Sequence, residues 1–476
     1  MEILPLHPAE NASSPDALRG FLLRCREAAA RDRHEKLVSI SLALPPPDPL
    51  AVLELIFDPA EPHFYAERPS IGTALAGAEV AVRREASGPG RCRELRDWSE
   101  EVLAHTIAVG DVHAPLGGPH FFTALAFRDE PESGQPFPAA MAFVPRWQVG
   151  LAGDTGTAVA NLLVSADSDV DALALRVWRA HRRLSEQGPG EGVIIPSRQE
   201  PARFSVHEAG DYRGAVTRAL ARIAAGELGK VVLARAVDLT ADHPLHPLVV
   251  LNRLRQRFPD CYSFSFSAGR GPSFIGASPE RLLRVSRGVL ETEALAGSAR
   301  RGGSASEDAA LAAALARSDK DQREHGQVLA DIRARLQPLT TSLDSPAAPQ
   351  VRRLANVQHL HTPVRGNLRP GAHPLDVVAE LHPTPAVGGS PRGVALAAIG
   401  ELEGFPRGLY AGALGWLNAR GGGEFFVGLR SALIEGNAAR LYAGAGIVAG
   451  SAPEKELAET DLKLRAMLGA IGAPSP

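Results

Sequence analysis

A chain of 476 residues, 45% hydrophobic and 22% charged, has the balance of a globular protein, long enough for two or three domains or for one large mixed core. A formal net charge of -3 and 5% aromatic residues give no electrostatic or stacking case for nucleic acid or for a membrane surface. Cys25, Cys92 and Cys261 are odd in number and far apart, which excludes a disulfide framework or a thiolate metal site and leaves idle thiols. No charged segment followed by an apolar core opens the chain, and no 18-residue apolar run occurs, so a cytoplasmic enzyme is expected.

Residues 1 to about 200 read as short alternating strands and helices with little chemistry on view. Pro8 to Arg33 contains a helical pattern, Leu37 to Leu44 alternates as a strand, and Leu44-Pro-Pro-Pro-Asp-Pro49 breaks the chain. Ala51 to Phe57 and Val80 to Arg84 are strand candidates. Arg91 to Val109 reads as one amphipathic helix with Leu95, Trp98, Val102 and Leu103 on one side. Asp129 to Pro138 is a polar hairpin connection, Ala140 to Gly150 and Ala158 to Val164 alternate as strands, and Asp169 to Glu186 is a helix ended by Gln187-Gly-Pro-Gly190.

From His207 onward the features become denser. Tyr212, Val216, Ala219, Leu220 and Ile223 carry a helical period that stops near Gly226. Lys230-Val-Val-Leu-Ala-Arg-Ala-Val-Asp238 reads as a strand; taken alone, its opening lysine suits an edge guard against aggregation. Cys261 to Ser267 and Ser273 to Leu283 are strand-like, and Glu280 follows a Ser-Pro turn, where it could be an ordinary turn carboxylate and is a weak signal alone. Glu293-Ala-Leu-Ala-Gly-Ser298 is expected as a small-residue loop facing a substrate. Ser318 to His325 opens a long helix whose Val328, Leu329, Ile332 and Leu336 face inward. Thr341 to Gln350 is a Pro/Ser loop and Val351 to Thr362 is extended. His382-Pro-Thr-Pro-Ala-Val-Gly-Gly-Ser-Pro391 is a rigid loop between helices. His359 and His382 have no zinc-site spacing, and each could be a satisfied polar residue.

Tyr410 to Trp416, Glu424 to Leu433 and Arg440 to Gly446 read as a three-stranded meander, in which Arg430 shares a face with Gly428 and Ala432. A guanidinium among small residues leaves room for a carboxylate ligand. The chain then runs through Tyr442-Ala-Gly-Ala-Gly-Ile-Val448 to Ser451-Ala-Pro453, and Pro453 suits the first turn of a helix. On that helix Glu456, Glu459 and Lys463 fall on one line, with Leu457, Leu464 and Leu468 on a separate apolar stripe. A solvated face with a Glu459/Lys463 pair is the plain reading of that line. Gly444 and Gly446 just before it would let a ligand approach the backbone where acids able to hold a hard cation come next.

Eight ordered runs together resemble the chorismate-utilising enzymes and, within them, the isochorismate synthases. They are Lys230-Val-Val-Leu-Ala-Arg235, Gly276-Ala-Ser-Pro-Glu-Arg-Leu282, Glu293-Ala-Leu-Ala-Gly-Ser298 and Asp321-Gln-Arg-Glu-His325, followed by Gln358-His-Leu360, His382-Pro-Thr-Pro-Ala-Val-Gly-Gly389, Phe426-Val-Gly-Leu-Arg430 and the C-terminal Ala443 to Lys463 stretch. The resemblance covers roughly 205 to 470. It implies a fold of class α+β: one large domain of two stacked antiparallel β-sheets with flanking helices. Residues 1-200 would then form the N-terminal part of that body and 201-470 its chorismate-binding catalytic region. Leu457 departs from the aromatic usual between the two glutamates, which touches packing and not a ligand atom.

The resemblance further implies a Mg²⁺ site made by Glu324 and Glu459, with Glu456 acting directly or through water. Lys230 would be the base that activates water and Glu280 the acid that protonates the departing ring hydroxyl. Arg430, Gly444 and Lys463 would hold a substrate carboxylate, and Ala296, Gly297, Ser298, His359 and Thr384 would complete the substrate site. Ammonia-using relatives usually carry glutamine at the position of Lys230, and a nucleophilic lysine can stand at the position of Ala296. Lysine and alanine here imply water as nucleophile and no amidotransferase subunit. The expected product is isochorismate, formed by a monomer. Salicylate synthase, which goes on to expel pyruvate, is the runner-up, and a catalytically silent chorismate-binding protein is third. The Arg407-Gly-Leu-Tyr410 and Leu429-Arg-Ser-Ala-Leu-Ile434 runs lean toward the stand-alone enzymes of quinone biosynthesis.

Overall fold

The computed structural model describes residues 1–3, 14–186, 202–354 and 357–474. The strands form one hydrogen-bonded network that divides at Ala140–Ala152. One edge of this strand pairs along its whole length with Thr73–Ala86, while the other switches from His120–Leu125 to Thr155–Val164. From Thr73–Ala86 the first sheet continues through Pro62–Arg68, Tyr262–Ala268, Ser273–Ser278, Ser431–Glu435 and Ala438–Val448 to Lys230–Ala241. From His120–Leu125 the second continues through Ala413–Asn418, Gly423–Val427, Arg281–Ser286 and Val289–Arg300 to Val357–Leu368. These ladders are antiparallel; among the described residues only Thr106–Gly110 pairs in parallel, with Lys36–Leu44 and Glu2–Ile3.

The two sheets stack face to face over an aromatic core. Phe64 of the first stacks on Phe122 of the second with centroids 4.5 Å apart, and Tyr262 stacks on Phe426 at 4.9 Å. All four rings are buried, and such pairs add to the large area each ring removes from water. Helices Tyr212–Ala224, Arg392–Leu402 and Pro453–Ile471 cover the outer side of the first sheet, and Asp319–Leu336 lies on Val289–Arg300 of the second.

The chain passes from one sheet to the other at two corners, Pro279-Glu280 and Gly428-Leu429-Arg430. They are tied together: Val427 N–H donates to the Glu280 carbonyl at 3.1 Å, and Ala277 N–H donates to the Arg430 carbonyl at 3.2 Å. Both corners carry residues singled out above for chemistry.

Several sequence expectations are corrected. Ala51 to Phe57 is not a strand: Ala51 to Ile56 lies in helix Pro49–Ile56 and Phe57 caps its end, because Asp48 caps Leu50 N–H and Pro49 is set for the first turn. The helix from Arg91 ends at Ala104, and β-branched Thr106, Ile107 and Val109 form a strand. The expected Pro/Ser loop from Thr341 to Gln350 overlaps strand Thr340–Asp344 at its start and strand Gln350–Arg353 at its end. The meander is instead two hairpins, since Arg430 turns through φ 48° and sends Ser431–Glu435 to a different partner from Gly423–Val427. Glu293 to Ser298 is no loop: it lies within Val289–Arg300, with a register shift at Gly297, whose φ is 73°. The strand-like run Ser273 to Leu283 is broken at Pro279-Glu280 into Ser273–Ser278 and Arg281–Ser286, which belong to different sheets, and the loop from His382 to Pro391 holds the short strand Gly389–Ser390. The remaining helix and strand readings stand, while Pro8 to Ser13, Gln187 to Gly190 and Ala355 to Asn356 lie outside the described residues. Among those described, no helix is long and apolar enough to cross a membrane.

Candidate active site

Lys230 is the first residue of its strand, but not an edge guard. Strand residues pair with it on both sides, Val448 on one and Ser390 on the other, and it is 6% exposed. A buried ammonium needs a partner. Glu324 Oε1, on helix Asp319–Leu336, accepts from Lys230 Nζ at 2.6 Å. Gly446 lies across the ladder from Val232, and a Cβ there would come within 3.1 Å of Lys230 Cε.

Lys463 reaches back from the C-terminal helix. Its Nζ donates to the Gly444 carbonyl at 2.7 Å and to Glu459 Oε1 at 2.8 Å, so the expected i, i+4 pair exists and is anchored to the glycine strand. Leu464 and Leu468 of the same helix are buried, as the stripe requires. Glu456, one turn before Glu459, is buried. Burial pushes its carboxyl up, against a hydrogen bond from Ser451, and the Glu459 charge adds to the rise.

Glu280 projects from its corner into the same space, with no hydrogen-bond partner for its carboxyl among the described residues. Burial, reinforced by the negative charge of Glu293 and opposed by Lys230 and Lys463, pushes it up to about 7. Arg430 at the other corner is 8% exposed. Among the described residues its guanidinium has no carboxylate partner, and that group's one hydrogen-bond contact is Cys261 Sγ at 3.9 Å. Burial pushes this guanidinium down, the mark of a cation lacking an anion. Cys25, Cys92 and Cys261 are all buried free thiols, and Cys261 supplies this one polar touch.

On the second sheet, His359 Nδ1 lies 2.9 Å from Ser298 Oγ and 3.2 Å from the Gly297 carbonyl. A carbonyl only accepts, so Nδ1 carries the hydrogen and Nε2, buried and without a partner, is a bare acceptor. Burial, with Arg430 and Lys463 adding, pushes the ring down to about 3, so it stays neutral.

One cavity of about 150 Å³ gathers Lys230, Glu280, Ala296, Gly297, Ser298, Glu324, His359, Arg430, Gly444, Glu459 and Lys463. Glu456 is not part of its wall. Neither is Thr384, whose hydroxyl is buried without a partner while its loop neighbours Ala386 and Val387 line the space. His382 is a satisfied core histidine, with Nε2 donating to the Ala411 carbonyl at 2.9 Å. Sequence reasoning named Tyr410 only as a strand start and as the end of the Arg407-Gly-Leu-Tyr410 run and gave it no place at the site; it stacks on Tyr442 and lines the cavity. A larger groove of about 1200 Å³ between helices Pro49–Ile56 and Val170–Glu186 is mainly apolar and gathers none of these groups. Convergent chemistry, not volume, picks out the smaller one.

The acids of this cavity suit a hard cation. Glu324 and Glu459 are oxygen donors on its wall with Glu456 beside them. Among the described residues no three acids, histidines or cysteines close into a cage, and Mg²⁺ needs only one or two carboxylates beside water and a substrate anion.

A family profile described as chorismate binding enzyme matches residues 22–472. The chain belongs to the chorismate-binding enzymes. It is 37% identical to the salicylate biosynthesis isochorismate synthase of Pseudomonas aeruginosa over 469 residues, which is 96% of this chain and 94% of the relative. It is 30% identical to the isochorismate synthase MenF of Bacillus subtilis over 465 residues, covering 95% and 97%. The solved structure of the menaquinone-specific isochorismate synthase MenF from Escherichia coli superposes with a TM-score of 0.76 at 29% identity, over 94% of this chain and 99% of that one. Anthranilate synthase component I from Streptococcus pneumoniae shares the fold, with a TM-score of 0.69 at 24% identity, covering 83% and 92%.

Proposed function

We propose that this chorismate-binding enzyme is an isochorismate synthase, converting chorismate to isochorismate by adding water at one ring carbon and expelling the hydroxyl from another. The observation that carries the reading is that one cavity brings together Lys230 and Glu280, a carboxyl that burial holds up to about 7 and so poises to give a proton. Relatives spanning nearly the whole chain support it, since their names share this reaction while differing over salicylate and menaquinone.

Hydroxide leaves poorly and neutral water attacks poorly, so each end of the displacement needs a proton transfer, worth about 10²–10⁴-fold apiece. In this reading Lys230, once deprotonated, takes a proton from the attacking water. Glu280 gives its proton to the departing hydroxyl, which leaves as water. One water enters and one leaves, and solvent returns the proton from Lys230 to Glu280. Arg430 and Lys463, anchored on Gly444, hold a substrate carboxylate. His359, a bare acceptor, can pair with a hydroxyl or water but not with a carboxylate. Ala296, Gly297 and Ser298 shape the wall opposite, and Thr384 supports the loop that carries Ala386 and Val387. Glu324 and Glu459, with Glu456 behind, would hold Mg²⁺, and a bound ion would neutralise a substrate carboxylate. Water as nucleophile requires no amidotransferase partner; we place the enzyme in the cytoplasm as a monomer.

The test is turnover of chorismate with the product identified, before and after EDTA and after Mg²⁺ is returned. Isochorismate formed only with Mg²⁺ is expected. Salicylate plus pyruvate would transfer the reading to salicylate synthase, and no Mg²⁺-dependent product would leave a silent binder. Lys230→Gln and Glu280→Gln should each lower kcat by about 10²-fold or more with the fold retained.

A further inference from the structure

Behind the Glu280 corner lies a second carboxylate that the reaction above does not use. Glu293 has a side chain only 6% exposed, yet both of its oxygens are occupied. Arg352 Nη1 lies 3.1 Å from each of them, His361 Nε2 donates to Oε2 at 2.8 Å, and the backbone N–H of Arg281 donates to Oε1 at 3.3 Å. That last N–H belongs to the peptide joining Glu280 to Arg281. The same corner is held from its other sides by Val427 N–H on the Glu280 carbonyl and by Ser278 Oγ on the Glu280 N–H. Two hydrogen-bonding cations or rings and one backbone amide are a heavy commitment for a carboxylate with no direct place in the cavity.

We propose that Glu293 is a positioning residue for the proton donor: locked by Arg352 and His361, it fixes the Glu280–Arg281 peptide and, as a permanent anion beside it, keeps the Glu280 carboxyl protonated.

The charges around Glu280 support this. Lys230 from its strand and Lys463 from the C-terminal helix both favour an ionised Glu280; Glu293 and burial oppose them. Arg430, Glu324, Glu459, His359 and Tyr410 share the cavity wall, and Arg281 follows Glu280 in the chain. Glu293 itself stays ionised at about 2. Burial would raise it, and the His361 hydrogen bond with Arg352 and Arg281 more than offsets that. Without the Glu293 charge, two lysines would draw the proton off Glu280 in the range where the enzyme must hold it.

The inference rests on Glu280 being the acid, and the experiment separates the two. The pH profile of kcat/KM for chorismate should bend downward at about pH 7, where Glu280 loses its proton, into an alkaline limb that begins there and is one unit lower in logarithmic slope than the acid side, whichever of Glu280 and Lys230 ionises first. In Glu293→Gln that alkaline limb should move down by about one pH unit, giving about tenfold lower kcat/KM above both midpoints and little change below them. Glu293→Asp, which keeps the charge, should restore the limb. Arg352→Gln removes a cation while leaving the anion, so its limb should move up. A merely structural role for Glu293 predicts loss at every pH and the same sign for both variants. An unmoved limb in Glu293→Gln, or an unmoved or lowered one in Arg352→Gln, overturns the proposal. If Glu293→Gln does not fold, the direction in Arg352→Gln decides alone. Full activity in Glu280→Gln would instead remove the acid assignment; an inactive Glu280→Gln with an unmoved limb in Glu293→Gln removes only this inference.

Discussion

Arg430 is costly where it stands. A guanidinium taken out of water with no anion destabilises the fold unless a ligand completes it, and among the described residues its one hydrogen-bond contact is a thiol sulfur. Its backbone is also in the left-handed region, at φ 48°, which non-glycine residues seldom adopt. Stability would favour a neutral side chain at this corner, so the charge is there for a ligand. Arg430→Met should therefore bind chorismate at least about 10²-fold more weakly while melting at an equal or higher temperature than the parent. Thermal melts paired with substrate titration check this; a variant that melts earlier and binds normally would make Arg430 a structural cation. The residue types at the site were legible because each sat in a run with a distinctive order. Glu293 opens such a run too, but its role was not legible, because nothing local separates a carboxylate anchored by Arg352 and His361, some 60 positions away, from one at the start of a loop.

At the level of elements, the site depends on how closely two strands and the C-terminal helix approach. Gly444 lies opposite Ala234 in the ladder, gives its carbonyl to Lys463, and has no room for a side chain, since a Cβ would sit 2.7 Å from the Tyr410 hydroxyl. Tyr410 cannot readily yield, being buried and stacked nearly parallel on Tyr442 with centroids 5.1 Å apart. Gly444→Ala should thus destabilise by about 1–3 kcal/mol, as overpacking does, and lower activity more than Gly446→Ala. At Gly446 the obstacle is the flexible end of Lys230. Denaturant melts and kcat for the two variants, side by side, test the ranking; equal effects would mean the strand simply shifts. Strands and helices of the catalytic half were readable from period and caps. The failures came where tertiary pairing overrode the local pattern, as when Arg430 splits what looks like one strand between two sheets.

Across the whole molecule, the N-terminal 200 residues show almost no chemistry in sequence, yet they supply strands to both sheets. Pro62–Arg68 pairs with Tyr262–Ala268 in the first sheet, and His120–Leu125 pairs with Ala413–Asn418 in the second. The aromatic contacts that hold the layers together cross the same divide: Phe64 packs on Trp416, and Phe137 on Phe274. Residues 205–476 alone would expose two long strand edges and much of a core built to be shared, which favours aggregation over independent folding. Expressed alone, that fragment should be insoluble or lack a cooperative melt, and adding residues 1–186 as a separate chain should restore chorismate turnover if the two pieces reassemble. A soluble fragment that melts cooperatively and turns over chorismate by itself would show that the catalytic half is a domain in its own right, and that the shared sheets are a later elaboration of it.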